Sequence, residues 1–184
     1  MKKYEITSEM KPGRFSSKLY RIKSCINFTT VSGHEVKKGD LGGWVEKEEN
    51  LSQDGTAWIF DDAEVCGNAK ILDSAVVCGN AKVFNDAEIC GDVEVCGDAV
   101  ISKNAYIFSL KHLMCVSPFP INGYPVNLTM FRTKEGEINI QFDHNPVKSI
   151  DEFKAFVDTF DDISDRLALI TIVELGKRCI DLTA

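Results

Sequence analysis

The chain has 184 residues, 44% of them hydrophobic and 27% charged, and a net charge of −7. That composition is globular, and the acidic balance argues against a general nucleic-acid binder, which would carry a basic face. No apolar run approaches the roughly 20 residues of a membrane span. The charge is uneven, because residues 57–108 hold three basic against nine acidic residues.

Met1-Lys2-Lys3-Tyr4-Glu5 has no apolar stretch of the signal-peptide kind. The seven cysteines are therefore expected to be reduced thiols of a cytoplasmic protein. Residues 18–23 alternate polar and apolar, which predicts a half-buried strand, and residues 28–31 predict a second one before Ser32-Gly33. Lys38-Gly39-Asp40 reads as a turn leading into Leu41-Gly42-Gly43-Trp44-Val45. The paired glycines permit backbone shapes closed to other residues, and Trp44 is large enough to cover the open end of a small core. Residues 1–50 are thus expected to form an N-terminal β cap. A ligand site at the Gly42-Gly43 turn is the competing reading.

From residue 57 to 108 the chain repeats every six residues. Alanine stands at 57, 63, 69, 75, 81, 87, 99 and 105, with Val93 the one exception. A β-branched aliphatic follows two residues after each, from Ile59 through Ile107. Residues two apart point the same way on a strand, and Gly67-Asn68, Gly79-Asn80, Gly91-Asp92 and Gly97-Asp98 have turn chemistry. The repeat is therefore a short strand and a corner, which makes residues 51–108 a solenoid. With three hexads per coil, residue i lies over i+18, so Glu64 stacks on Lys82 and Lys70 on Glu88, both opposite-charge neighbours. With two hexads per coil, Lys70 would face Lys82. The charges select three hexads, and nine hexads then make about three coils. Cys66, Cys78 and Cys90 recur every twelve residues, which reads as a mark of duplication.

Three outward faces follow. The most apolar carries Trp58, Phe60, Val76, Cys78, Glu94 and Cys96, and such a patch marks a contact surface for another subunit, a partner or the chain's own termini. Binding residues are expected to be Trp58, Phe60, Val76, Cys78 and Cys96, together with Trp44 and Tyr106. No metal is expected, because no histidine lies between Val36 and Lys111 and no CxxC occurs, although Cys78 and Cys96 would be neighbours on adjacent coils.

The stretch Lys38-Gly39-Asp40-Leu41-Gly42-Gly43-Trp44-Val45-Glu46, with Asn50-Leu51-Ser52, Gly55 and Ala57-Trp58-Ile59, resembles the YdcK-like branch of the hexapeptide-repeat superfamily over residues 15–108. Members occur in bacteria and, in short forms, in phages and prophages. The resemblance implies a left-handed parallel β-helix of triangular section. It implies no established reaction, since that branch is mostly labelled putative transferase by fold analogy.

Beyond Ser109 the period breaks. Residues 112–116 predict a strand, and Pro118, Pro120, Asn122-Gly123 and Pro125 a loop. Residues 126–132 and 137–142 alternate around Lys134-Glu135-Gly136, which predicts a hairpin. Ser149 and Glu152 fit a capping box, followed by apolar residues at helical spacing from Ile150 to Phe160. A second helix is expected over about 163–177, against the strand propensity of Ile170-Thr171-Ile172-Val173. Residues 109–184 thus read as an α+β tail, and the fold class as mainly β.

Hexapeptide-repeat acyltransferases generally use a histidine base near the coils and hold coenzyme A between subunits. Here the repeats hold no histidine. His112 and His144, in the tail, are the only candidate catalytic residues, and related carbonic anhydrases would need three coil histidines. The expectation is a non-catalytic binding or scaffold protein without cofactor, contacting a protein partner or a second copy (dimer or trimer) and no nucleic acid or membrane. In the phage setting that the resemblance implies, a host defence protein would be the partner. The alternatives are an acyltransferase using acetyl-CoA and an oligomer that sequesters a nucleotide.

Overall fold

The structure, a computed structural model, describes residues 2–143 and 145–183, with the backbone alone for Phe15. The chain opens with β1 (Tyr4–Pro12) and β2 (Lys18–Ser24), an antiparallel hairpin, and the small antiparallel pair β3 (Phe28–Thr29) and β4 (Glu35–Val36). Next comes β5 (Leu41–Val45). The hexads then give β6 (Trp58–Ile59), β7 (Glu64–Val65), β8 (Lys70–Ile71), β9 (Val76–Val77), β10 (Lys82–Val83), β11 (Glu88–Ile89), β12 (Glu94–Val95), β13 (Val100–Ile101) and β14 (Tyr106–Ile107). They form three parallel sheets: β6 with β9 and β12, β7 with β10 and β13, and β8 with β11 and β14.

Register follows the eighteen-residue step. Glu64 faces Lys82, Lys70 faces Glu88 and Val76 faces Glu94. Inside, Val65, Val83 and Ile101 stack on one another, as do Ile71, Ile89 and Ile107, and the alanines fill the space between; all are buried. Each such aliphatic contributes roughly 1.5–3 kcal/mol on burial. Alanine is the residue that leaves room for it in so narrow a core. One residue per corner takes a left-handed backbone, again every sixth: Gly55, Asp61, Gly67, Asp73, Gly79, Asn85, Gly91, Gly97 and Lys103. Glycine, aspartate and asparagine tolerate this shape best. Corner side chains also pair along the stack, as where Asn80 Nδ2 donates to Asp98 Oδ1 at 3.0 Å.

The charge ladders identify the coil length, yet the ion pairs run elsewhere. Glu64 pairs with Lys11 of β1 at 2.8 Å and Glu88 with Lys134 of the tail at 3.6 Å. The flanking segments therefore dock on the repeat through its outward glutamates.

The solenoid has about four turns, more than the hexads from 57 to 108 supply. The added turn comes from the segment read as cap. β5 lies parallel to β7, pairing Trp44 with Glu64, and Leu51 bridges to Ile71. This first turn steps by twenty residues rather than eighteen. Buried Asn50 holds the irregular corner, its Oδ1 accepting from Glu46 and Lys47 N–H and its Nδ2 donating to the Gly67 and Ala69 carbonyls. Gly42 and Gly43 are packing residues, not a ligand turn. A Cβ on Gly43 would lie 2.3 Å from Ile59 Cγ2, and one on Gly42 would lie 2.7 Å from the Ile59 carbonyl oxygen. β2 continues the sheet outward from β5, so β1 and β2 extend one face of the solenoid.

Both ends are closed. At the first turn Lys3 Nζ donates to the Asp54 and Ala57 carbonyls and the Tyr4 hydroxyl lies against those of Glu48 and Leu51. At the last, Val100 N–H donates to Thr129 Oγ1 at 3.1 Å and Phe108 N–H to His112 Nδ1 at 3.4 Å. Phe131 fills the open base of the core.

The tail is a four-stranded antiparallel sheet, β15 (Leu113–Ile121), β16 (Tyr124–Arg132), β17 (Ile138–Phe142) and β18 (Lys148–Ser149), with helices α1 (Ile150–Val157) and α2 (Ile163–Cys179). Pro118 and Pro120 lie inside β15 rather than in a loop. β15 is an edge strand, where a missing N–H is tolerated, and its register shifts between Val116 and Phe119. The connection shrinks to Asn122-Gly123, both at positive φ, as a two-residue hairpin turn requires. The capping box forms as expected, with Glu152 N–H donating to Ser149 Oγ and Ser149 N–H to Glu152 Oε2. Residues 170–173 are helical, because Leu169 and Val173 fall one turn apart and both bury against the sheet. No helix among the described residues is long and apolar enough to cross a membrane.

Candidate functional site

The structure separates the residues that sequence analysis grouped for binding. Trp58 is wholly buried, with Tyr4 and Phe28 edge-on to its ring, and Phe60 lies against His34. The upper part of the apolar face is therefore occupied by the chain's own N-terminal segment, and Val76 is buried as well. Trp44 sits on a second face beneath Lys11 and Arg21. Tyr106 sits on the third, beside Phe108. Trp44, Trp58 and Tyr106 thus belong to three different faces of the chain.

His112 is buried edge-on to Phe108, and its Nε2 has no partner among the described residues. Burial, reinforced by the charge of Arg132, holds its pKa below 6.5. With Nδ1 accepting from Phe108, the ring is a neutral cap on the last coil. His144 lies outside the described residues.

Cys78 and Cys96 correct the expectation of seven reduced thiols, since the two are joined by a disulfide. The eighteen-residue step is the reason. It stacks them on adjacent coils with Cα atoms 4.6 Å apart, within bonding range. Cys66 and Cys90 stand at the same phase on other faces, each without a cysteine above or below. Both are free and buried, and burial pushes the Cys66 thiol up to about 11.

Two open surfaces stand out among the described residues. The first is a groove on the second face, between the β1–β2 hairpin and the tail. One cavity of about 410 Å³ is lined by the cations Lys11, Arg14 and Lys82 and by four carboxylates, Asp62, Glu64, Asp98 and Asp143, and a second of about 300 Å³ by Arg14, Phe84, Lys103 and Gln141. Arg14 lies over the Phe84 ring where the two meet.

The second is the outer side of α2. Leu169, Val173 and Gly176 face the sheet, the last so tightly that a Cβ would meet Met130 Sδ at 2.4 Å. On the other side Ile163, Leu167 and Leu175 are 73%, 66% and 53% exposed. They recur every four or eight residues with Thr171 between, a single ridge along one helix face. Exposed Asp161 and Asp162 precede this ridge and exposed Arg178 ends it. The helix is thus apolar on two sides, and strand-like Ile170-Thr171-Ile172-Val173 obscured the second side in the sequence.

No family model matches the chain, and no curated protein matches it. Fold and surfaces together define a β-solenoid carrying an α+β appendage.

Proposed function

We propose that the chain is a non-catalytic binding protein, in which the acidic solenoid is a rigid frame and the outer side of α2 is the contact surface. The observation that carries this is the exposed ridge of Ile163, Leu167 and Leu175. The partner it fits is a second copy. The ridge is acidic before its start and basic at its end, so two α2 helices laid antiparallel bring Arg178 of each beside Asp161 and Asp162 of the other. A twofold contact of this kind is self-complementary. Size-exclusion chromatography with light scattering tests it. The expected mass is twice the 20.5 kDa of the chain, falling to one chain in Leu167→Asp with an unchanged far-UV spectrum. A monomer at every concentration would overturn self-association and turn the search to a heterologous protein, such as the host protein that a phage origin suggests.

The eighteen-residue register and the Gly42-Gly43-Trp44 junction support placing the chain with hexapeptide-repeat β-helix proteins of the YdcK-like branch. A second reading takes the groove as a site for an anionic small molecule. It rests on Arg14 and Lys103 of the second cavity, whose described lining holds no carboxylate, beside the ring of Phe84. Thermal stabilisation by a nucleotide or acetyl-CoA, lost in Arg14→Ala, is the result that reading requires.

A further inference from the structure

One glutamate of the repeat has no cation beside it. Glu64, Glu88 and Glu94 hold the same phase on the three faces of the solenoid. Glu64 pairs with Lys11 and Glu88 with Lys134. Glu94 has no cationic partner among the described residues. Its half-buried carboxylate instead lies against sulfur, with Oε1 at 3.2 Å from Cys96 Sγ and 3.8 Å from Cys78 Sγ. A disulfide has no proton to offer a carboxylate, so this contact contributes nothing while the bond is closed. Once the bond is reduced, two thiols and a carboxylate converge at one exposed point.

We propose that Cys78, Cys96 and Glu94 form a redox-gated site for a thiophilic divalent cation, with Zn²⁺ as its type. The three ligand atoms lie within 4.8 Å of one another. In a tetrahedral zinc site, Zn–S near 2.3 Å and Zn–O near 2.0–2.2 Å put neighbouring ligand atoms roughly 3.5–3.8 Å apart. The carboxylate contacts are already near that spacing. Separation of the two sulfurs is the one change required.

The backbone holds the strands while this happens. Cys78 N–H donates to the Val95 carbonyl at 2.8 Å and Asn80 N–H to that of Gly97 at 2.9 Å, so the ligands do not have to be gathered from a flexible loop. Cys96 is exposed, which leaves the fourth position to water, the arrangement of three protein ligands and an open site.

The chemistry balances in two steps. A dithiol or phosphine reductant supplies two electrons, the S–S bond breaks, two protons from water complete the thiols, and the reductant leaves oxidised. Zn²⁺ then displaces those two protons to solvent, forming two Zn–S bonds and one bond to a Glu94 oxygen. A low-molecular-weight disulfide then takes back the two electrons, leaving as two thiols with two protons from water, while the Cys78–Cys96 bond re-forms and the Zn²⁺ ion is released.

The test uses the full chain, reduced and metal-free, with Co²⁺ as the probe. One equivalent binds with a thiolate-to-cobalt charge-transfer band, and Zn²⁺ displaces it. The band disappears in Cys78→Ser and in Cys96→Ser and in the oxidised protein. Affinity falls by about tenfold or more in Glu94→Gln. Cys115→Ser and Cys179→Ser leave it unchanged. Zn²⁺ protection of Cys78 and Cys96 from alkylation, read by mass spectrometry on the unmutated chain, gives the same answer without relying on a variant's folding. A band that survives Cys78→Ser, equal binding by the oxidised chain, or alkylation of both cysteines in saturating Zn²⁺ would each overturn the proposal.

Discussion

The two ends of the solenoid are closed by opposite chemistry. At the first turn, side-chain donors meet main-chain carbonyls, with Lys3 and Tyr4 covering Glu48, Leu51, Asp54 and Ala57. At the last turn, side-chain acceptors meet main-chain N–H groups, with Thr129 on Val100 and His112 on Phe108. Each end also receives aromatic cover, Tyr4 and Phe28 above Trp58 at one and Phe131 at the other. The contrast teaches that residues outside the repeat are selected by which backbone groups an end leaves over. It also gives His112 a structural role at the last coil.

The largest effect expected from breaking this arrangement is at the N-terminal end. Trp58→Ala should cost about 3–5 kcal/mol in denaturant unfolding, because the ring is wholly buried under two aromatics. At the other end Thr129→Val keeps the shape and removes the acceptor. Val100 N–H is then buried without a partner, at a cost of about 1–3 kcal/mol; a loss no larger than that of an exposed threonine would contradict the capping role.

Titration should separate the two ends by pH range. Burial lowers Lys3 to about 8 from an ordinary 10.5, so between those values the unfolded chain binds the extra proton and stability rises with pH. The stability of the unmutated chain relative to Lys3→Met should therefore increase from pH 8 to about 9.5. Tyr4 acts the other way in each chain, since burial raises its pKa and the unfolded tyrosine ionises first near pH 10, but both chains share it and it cancels in the comparison. His112 is held below 6.5 by burial and Arg132. Its contribution is complete above 6.5 and is lost as the pH falls below it, because the unfolded chain takes up the proton more readily. Unfolding midpoints of the unmutated chain and His112→Asn should converge on acidification.

The smallest effect lies between the ends. Lys103 is the one corner residue of left-handed backbone that is neither glycine, aspartate nor asparagine. Lys103→Gly should stabilise by roughly 0.5–1 kcal/mol.

How much of this the sequence shows differs by region. The hexads are legible because one local rule, alanine then aliphatic then corner, repeats without interruption. Outward charges then fix the eighteen-residue step and place Cys78 over Cys96. The first turn is not legible, since its twenty-residue step depends on Asn50, whose role exists only once Gly67 and Ala69 lie beneath it. β1 is missed because its apolar alternation fades after Ile6, and β15 because its prolines read as loop signals, although Asn122-Gly123 marks the hairpin plainly. Of the contact surfaces, the face around Trp58 is visible in the pattern but is taken by the chain itself. The ridge on α2 emerges only after the sheet has claimed Leu169 and Val173.

That ridge is the centre of the functional account, and charge reversal probes it most directly. In light scattering at one fixed concentration, Arg178→Glu should convert the dimer to a single chain. Adding Asp161→Lys to the same chain should restore the dimer, since the proposed antiparallel α2 pair sets the two sites face to face. A dimer indifferent to Arg178→Glu, or one that the second substitution does not restore, would contradict the assignment of α2 as the contact surface.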